Sequence, residues 1–110
     1  MARPPLALPW VHAILDANRL GARKPQAPIF IYHAVADELL PMRETNVLVA
    51  GYCRAGVSVA YYQDPASDHN SLAVSGATLD VSFLGARFGG ARAPSTCGFP
   101  MIPAVVPRVV

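Results

Sequence analysis

The sequence predicts an α/β fold in which two parallel strands are flanked by helices. Two short apolar runs rich in β-branched and aromatic residues, 28–33 and 57–62, indicate buried strands. Helical patterns alternate with these runs, and such alternation is typical of parallel βαβ units with right-handed crossovers. Because two strands alone form a poor independent sheet, we expect this pair to be the edge of a larger doubly wound sheet.

The first and third predicted helices have clear boundary signals. Residues 9–20 precede Gly21, a natural helix stop, while Asn70 or Ser71 can cap a helix that runs to about Phe88. The first helix has a predicted apolar side formed by Trp10, Ile14, Leu15 and Leu20.

The second helix is predicted between the two strands, over residues 42–55. Pro41 suits the first helical turn, and Gly56 ends the helix. Four of its residues are expected to face the core: Val47, Leu48, Ala50 and Gly51.

Composition divides the chain into three parts and leaves its surface unusually apolar. We expect an N-terminal helix and loop over 1–27, the α/β portion over 28–90 and a Pro-rich apolar tail over 91–110. The 110 residues are 53% hydrophobic and 15% charged. Typical soluble domains are about 25% charged, so the composition excludes disorder and indicates surface that another segment covers.

Several partners and cofactors are not expected. A net charge of +2 without a basic stripe argues against nucleic acid. No apolar run reaches the roughly 18 residues of a membrane span. Pro9 and His12 interrupt the apolar start, so we expect no signal peptide in this chain. The two cysteines, 44 residues apart, lack metal-site spacing, so we expect no metal. We also expect no cofactor. The oligomeric state stays open.

Two loops that follow the predicted strands carry the candidate chemistry. Asp37 lies in the first and His69 in the second, 32 residues later, which is about one βαβ unit. Because parallel strands end at one edge, the two side chains can come within hydrogen-bond reach. A carboxylate behind an imidazole fixes its tautomer and stabilises the imidazolium formed when the ring takes a proton. The spacing therefore predicts the acid–base half of a nucleophilic triad.

Ordinary structural roles are open for each of these residues and their neighbours. Asp37 can cap a helix or close a turn, and His69 can be a plain loop histidine. Asp64 and Asp68 suit turns and helix caps better than they suit catalysis. Glu38 is interpreted as a loop or surface residue, and His33 as a structural or pocket-lining residue. His12 is interpreted as a structural residue. Cys53 and Cys97 can form one disulfide or be two buried thiols.

The pattern resembles the C-terminal portion of the secretory lipase family, antarctica lipase A-like enzymes of the α/β-hydrolase superfamily. The residues that carry the resemblance are Pro-Ile-Phe-Ile-Tyr-His-Ala at 28–34, Asp37-Glu38 with Pro41, Tyr52-Cys53 with Gly56, His69, and Arg-Phe-Gly-Gly at 87–90 with Cys97. The resemblance implies hydrolysis of carboxylic esters, acylglycerols in particular, through an acyl-serine. It also implies Asp37 as triad acid, His69 as general base, a Cys53–Cys97 disulfide and an extracellular location.

The sequence departs from this family in one respect: it has no G-x-S-x-G nucleophile elbow. The nearest string, residues 56–60, lies in a predicted strand, and its Ser58 follows Asp37 against the family order. We therefore expect a truncated chain, the C-terminal part of a serine lipase without its nucleophile, which alone is inactive. The alternatives are a hydrolase of another substrate class, such as a peptidase, or a non-catalytic interaction fragment.

Overall fold

A strand–helix–strand unit forms the centre of the protein, whose computed structural model describes residues 4–104. The elements follow a short 3-10 turn at Pro5–Ala7 in this order: α1 (Pro9–Ala17), β1 (Ile29–Ala34), α2 (Met42–Arg54), β2 (Val59–Asp64) and α3 (His69–Phe88). The strands pair in parallel, with Ile29 opposite Val59 and Ala34 opposite Asp64. Both strands therefore end at the same edge, and the predicted α/β arrangement is confirmed.

Helix α2 covers one face of the two strands. Its Val49 packs in a buried cluster with Val57, Val59 and Tyr61. The expectation that Val47 faces the core is wrong, since this side chain is 63% exposed. Residues two apart in a helix point about 200° from each other, so burial of Val49 turns Val47 to the solvent. Met42 lies two turns before Val49 on the same face and is also buried.

Helix α3 covers the opposite face. Side chains alternate along a strand, so Phe30 and Tyr32 point away from the α2 side. The Phe30 ring stacks on Phe83 of α3 with 5.4 Å between centroids. The backbone of α3 comes so close to Tyr32 at Gly76 that a methyl group there would overlap the tyrosine ring. The sheet thus lies between two helices, which is the layering of an α/β domain.

Two predicted helix boundaries differ from the structure for reasons of local hydrogen bonding. Helix α1 ends at Ala17, three residues early, and the side chain of its C-cap residue Asn18 donates to the Ile14 carbonyl at 2.8 Å. Helix α3 begins at His69, and its N-cap is Asp68, so the predicted cap at Asn70 or Ser71 is wrong. Ser71 instead completes a capping box with Asp68.

The tail runs along the outer edge of β2. Thr96 donates its backbone N–H to the Val59 carbonyl at 2.8 Å, and its hydroxyl accepts from Tyr61 N at 3.0 Å. Further along, the Gln63 side chain exchanges two 2.7 Å hydrogen bonds with the Ile102 backbone. The tail therefore satisfies polar groups at an edge that would otherwise be open for pairing.

A disulfide between Cys53 and Cys97 joins this tail to α2, with the two Cα atoms 5.5 Å apart. Parts of the predicted N-terminal segment (1–27) and tail (91–110), namely residues 1–3 and 105–110, lie outside the described residues.

Helix α1 leaves its apolar side uncovered by the rest of residues 4–104. Trp10 is 64% exposed, and Ile14 and Leu15 are about half exposed. The main contacts of α1 are with the preceding 3-10 turn. Across residues 4–104, no helix has both the length and the hydropathy that crossing a bilayer requires.

Candidate active site

Asp37 is fixed in a tight turn just after β1. Its backbone N–H donates to the Ala34 carbonyl at 3.2 Å, which closes the turn. Its Oδ1 accepts hydrogen bonds from the backbone N–H groups of Leu39 at 2.9 Å and Leu40 at 2.7 Å. The side chain is only 3% exposed. One carboxylate oxygen is thus used by its own loop, and Oδ2 is left for other partners.

His69 is the first residue of α3 and meets Asp37 directly. Its Nδ1 lies 2.8 Å from Asp37 Oδ2. Because an ionised carboxylate only accepts hydrogen bonds, Nδ1 must carry the proton, and Nε2 of the neutral ring is bare. Within residues 4–104, the structure gives Nε2 no hydrogen-bond partner, and the side chain is 34% exposed. The ring can therefore accept a proton at Nε2.

The pKa values of the two groups move in the directions that favour an ion pair. Burial raises the pKa of Asp37, but the hydrogen bonds from Leu40, His69 and Leu39 outweigh it and lower that pKa to about 2. The hydrogen bond to Asp37 raises the pKa of His69, and this effect exceeds the opposite effect of burial. Asp37 is thus ionised at neutral pH, and a protonated His69 is stabilised beside it.

Glu38 holds the backbone of the same histidine. Its Oε2 accepts from the His69 backbone N–H at 3.3 Å. Glu38, interpreted from the sequence as a loop or surface residue, is exposed, but that interpretation did not include this contact with His69. Two consecutive carboxylates therefore accept hydrogen bonds from His69: Asp37 from the ring and Glu38 from the backbone N–H. The adjacent Asp37 and Glu38 were the sequence feature that could have indicated two contacts to His69. The sequence does not show which atom each carboxylate reaches.

His33 also contacts Asp37. Its Nε2 lies 3.3 Å from Asp37 Oδ2 and 2.9 Å from the Leu40 carbonyl oxygen. The structure thus places this histidine, interpreted as structural or pocket-lining, directly against the acid loop.

The other predicted alternatives have local partners. The Asp64 carboxylate accepts from Ala66 N at 2.9 Å and from the hydroxyls of Ser67 and Ser75. Asp68 caps α3. His12 is exposed on α1. Asp64 and Asp68 thus have the turn and cap roles that the sequence favoured, whereas His12, interpreted as structural, is a surface residue within residues 4–104.

The surface beside the pair is an open depression of about 260 Å³. It is lined by Tyr32, His33, Asp37, Leu40, His69, Leu72 and Ala73.

Ser58 is at the opposite end of the sheet from this depression. It lies just before β2, where its carbonyl accepts from Ile29 N at 3.0 Å. The six residues of β2 at roughly 3.3 Å each place it about 20 Å from the site. Ser58 cannot reach His69 from this position.

Comparison with known proteins shows which family the chain belongs to. The profile of the family described as secretory lipase matches residues 6–96. The chain belongs to the secretory lipase family. Lipase A of Arthroderma benhamiae is 40% identical to it over 89 residues, which is 81% of this chain and 19% of that protein. A probable inactive lipase of Mycobacterium tuberculosis is 32% identical over 85 residues, or 77% of this chain and 19% of that protein.

The fold of this lipase-family chain is found in a crystal structure of a larger lipase. Candida antarctica lipase A matches it with a TM-score of 0.74 at 22% sequence identity. The match covers 91% of this chain and 25% of that protein. The α/β-hydrolase-like fold is therefore confirmed, and the chain spans about a fifth of the length of the curated relatives described above.

Proposed function

We propose that this chain supplies the acid and the base of a serine-type carboxylic ester hydrolase, with acylglycerols as the substrate class. The observation that carries the proposal is the 2.8 Å contact between Asp37 Oδ2 and His69 Nδ1, which leaves Nε2 bare. In the proposed mechanism, His69 Nε2 takes the proton of a serine hydroxyl as that oxygen attacks the ester carbonyl. It then returns the proton to the departing alkoxide. Asp37 holds the ring in the required tautomer and stabilises the imidazolium between these two transfers.

The nucleophilic serine is proposed to come from a part of the protein outside these 110 residues. The sequence contains no G-x-S-x-G string, and Ser58 lies at the far end of β2. Two features support a larger body: the chain matches a quarter of a solved lipase, and α1 leaves Trp10, Ile14 and Leu15 exposed. We propose accordingly that the isolated chain does not turn over esters.

An extracellular location is part of the same proposal. The matching family is described as secretory lipase. The disulfide between Cys53 and Cys97 supports it, because disulfides persist in oxidising compartments and are rare in the cytosol.

The proposal is tested by grafting residues 6–97, which include both cysteines of the disulfide, into Lipase A of Arthroderma benhamiae in place of the matching segment. The grafted enzyme is expected to hydrolyse a short nitrophenyl ester, and His69→Ala is expected to remove that activity. His12→Ala is the matched control, since His12 is exposed on α1, and it is expected to retain activity. Activity that survives His69→Ala would refute the proposed role of His69.

The same graft separates the competing functions. A folded graft without activity would favour a non-catalytic chain, in line with the relative described as a probable inactive lipase. A graft that cleaves a matched peptide substrate faster than the ester would favour another substrate class.

A further inference from the structure

His33 is a buried histidine whose two ring nitrogens are both engaged. It lies near the end of β1, and its side chain is 11% exposed. Its Nε2 faces the Leu40 carbonyl oxygen at 2.9 Å and Asp37 Oδ2 at 3.3 Å. Its Nδ1 lies 2.9 Å from the hydroxyl oxygen of Thr45 on α2. The ring therefore connects the acid loop to both the sheet and α2.

The partners of His33 determine which nitrogen carries the proton of the neutral ring. The Leu40 carbonyl, 2.9 Å from Nε2, can only accept a hydrogen bond, so Nε2 must be the donor. The Thr45 hydroxyl can donate, so the bare Nδ1 accepts from it. Neutral His33 thus has its proton on Nε2, whereas neutral His69 has its proton on Nδ1. Both histidines lie near the same oxygen, Asp37 Oδ2, His69 at 2.8 Å and His33 at 3.3 Å.

We propose that His33 is a positioning residue for the triad acid: its Nε2–H holds the Leu40 carbonyl, with Nε2 3.3 Å from Asp37 Oδ2, and so keeps the acid loop in place with the carboxylate facing His69. The inference rests on the proposed function of Asp37 and His69. The backbone N–H groups of Leu39 and Leu40 hold only Oδ1, and they belong to the same loop as Asp37. Apart from His69 itself, His33 is a neighbour of Oδ2 that is anchored outside that loop, through the strand and through Thr45. Without its donor, the loop and the carboxylate plane can turn together away from His69.

The tautomers of the histidine rings give a readout that does not depend on catalysis. The sequence contains only three histidines, and the third, His12, is exposed on α1 and serves as an internal reference. Two-dimensional 1H–15N spectra of the imidazole rings of the 110-residue chain distinguish a protonated from a bare nitrogen. At a pH where the rings are neutral, we expect the Nε2–H form for His33 and the Nδ1–H form for His69.

Two amide substitutions that differ by one methylene test the role of the Nε2 donor. In His33→Gln, the longer side chain brings an N–H donor to the position of Nε2, and we expect His69 to keep its Nδ1–H form. In His33→Asn, the shorter amide reaches the position of Nδ1 and Thr45 but not Leu40 or Asp37. We expect His69 then to lose the Nδ1–H form as its dominant tautomer and to titrate nearer the ordinary value of 6.5.

Each other outcome contradicts the inference. Equal behaviour of the Gln and Asn variants, whether both keep or both lose the Nδ1–H form, would show that the Nε2 donor does not position Asp37. An Asn variant with the amide spectrum of an unfolded chain would assign His33 to overall stability instead. His12→Asn is the control and is expected to leave His69 unchanged. These spectra report which ring nitrogen carries the proton and do not depend on activity. The inference about His33 can therefore fail while the graft is active, and it can hold while the graft is inactive.

Discussion

Asp37 Oδ2 lies 2.8 Å from His69 Nδ1, although 32 residues separate the two in sequence. The parallel register explains the contact, because Ala34 and Asp64 are paired at the ends of the two strands. Asp37 follows the first strand end by three residues, and His69 follows the second by five. A short turn and a helix N-terminus are then sufficient to bring the carboxylate to the imidazole.

Asp37→Asn is expected to lower kcat of the grafted enzyme by about 10⁴-fold, since an amide can leave the ring in the wrong tautomer. The measurement is steady-state hydrolysis of a nitrophenyl ester. Asp16→Asn makes the same chemical change on the exposed helix α1 and should leave kcat unchanged. Equal losses in both variants would show that Asp37 has no special role.

The Asp37–His69 pair is expected to stabilise the chain most strongly between pH 3.8 and 6.5. The pKa of Asp37 is lowered to about 2 in the folded state, so its contribution is present above 3.8 and is lost as the pH falls towards 2. The pKa of His69 is raised, so its contribution is full below 6.5 and is lost as the pH rises through the folded-state value.

Urea unfolding of the chain and of Asp37→Asn across this pH range checks the expectation. The difference in unfolding free energy should be largest inside the window and shrink on both sides. His12→Ala should leave the pH range of greatest stabilisation unchanged. A difference that grows steadily above pH 7 would have the wrong sign for a raised histidine pKa.

Removal of the disulfide is expected to destabilise the chain by about 2–4 kcal/mol, because it releases a long loop in the unfolded state. Cys53 and Cys97 are 44 residues apart in sequence. The comparison is Cys53→Ser/Cys97→Ser against the oxidised chain in urea. Hydrogen exchange should also speed up at the Tyr61 N–H, which Thr96 of the tail holds. Unchanged exchange there would mean that the tail stays on β2 without the disulfide.

Two glycines of α3 are expected to respond in opposite directions to alanine. Gly76→Ala would force a methyl group into the Tyr32 ring and should cost about 1–3 kcal/mol. Gly85→Ala meets nothing within 4 Å and should stabilise the helix by about 0.5–1 kcal/mol. Urea midpoints of the two variants measure the contrast. Similar stabilities would show that α3 does not approach β1 as closely as described.

The sequence was sufficient for the element order and for the meeting of Asp37 with His69. Apolar runs of strand length separated by one helical pattern lead to a parallel pair, and the loops after such strands share an edge. The exact helix starts were harder to predict. Asp68, Asn70 and Ser71 are all good capping residues, and only the paired hydrogen bonds of Asp68 and Ser71 decide among them.

Contacts that depend on the direction of a side chain could not be predicted from the sequence. The pattern of α2 led to Val47 as a core residue and not to Val49, but Val49 is the buried one. The Pro-rich tail has no period that indicates its path along β2, where Thr96 bonds the strand edge. Similarly, nothing in the sequence shows that His33 and Glu38 both reach the Asp37–His69 pair, because such contacts depend on the folded loop.

The most direct test of the account is the activity of the double variant Asp37→Asn/His69→Ala in the grafted enzyme. Residues that act as one unit are grossly non-additive, so the account predicts a loss of kcat no larger than that of His69→Ala alone. A loss equal to the product of the two single losses would show that the residues act independently, and it would contradict the proposed acid–base pair.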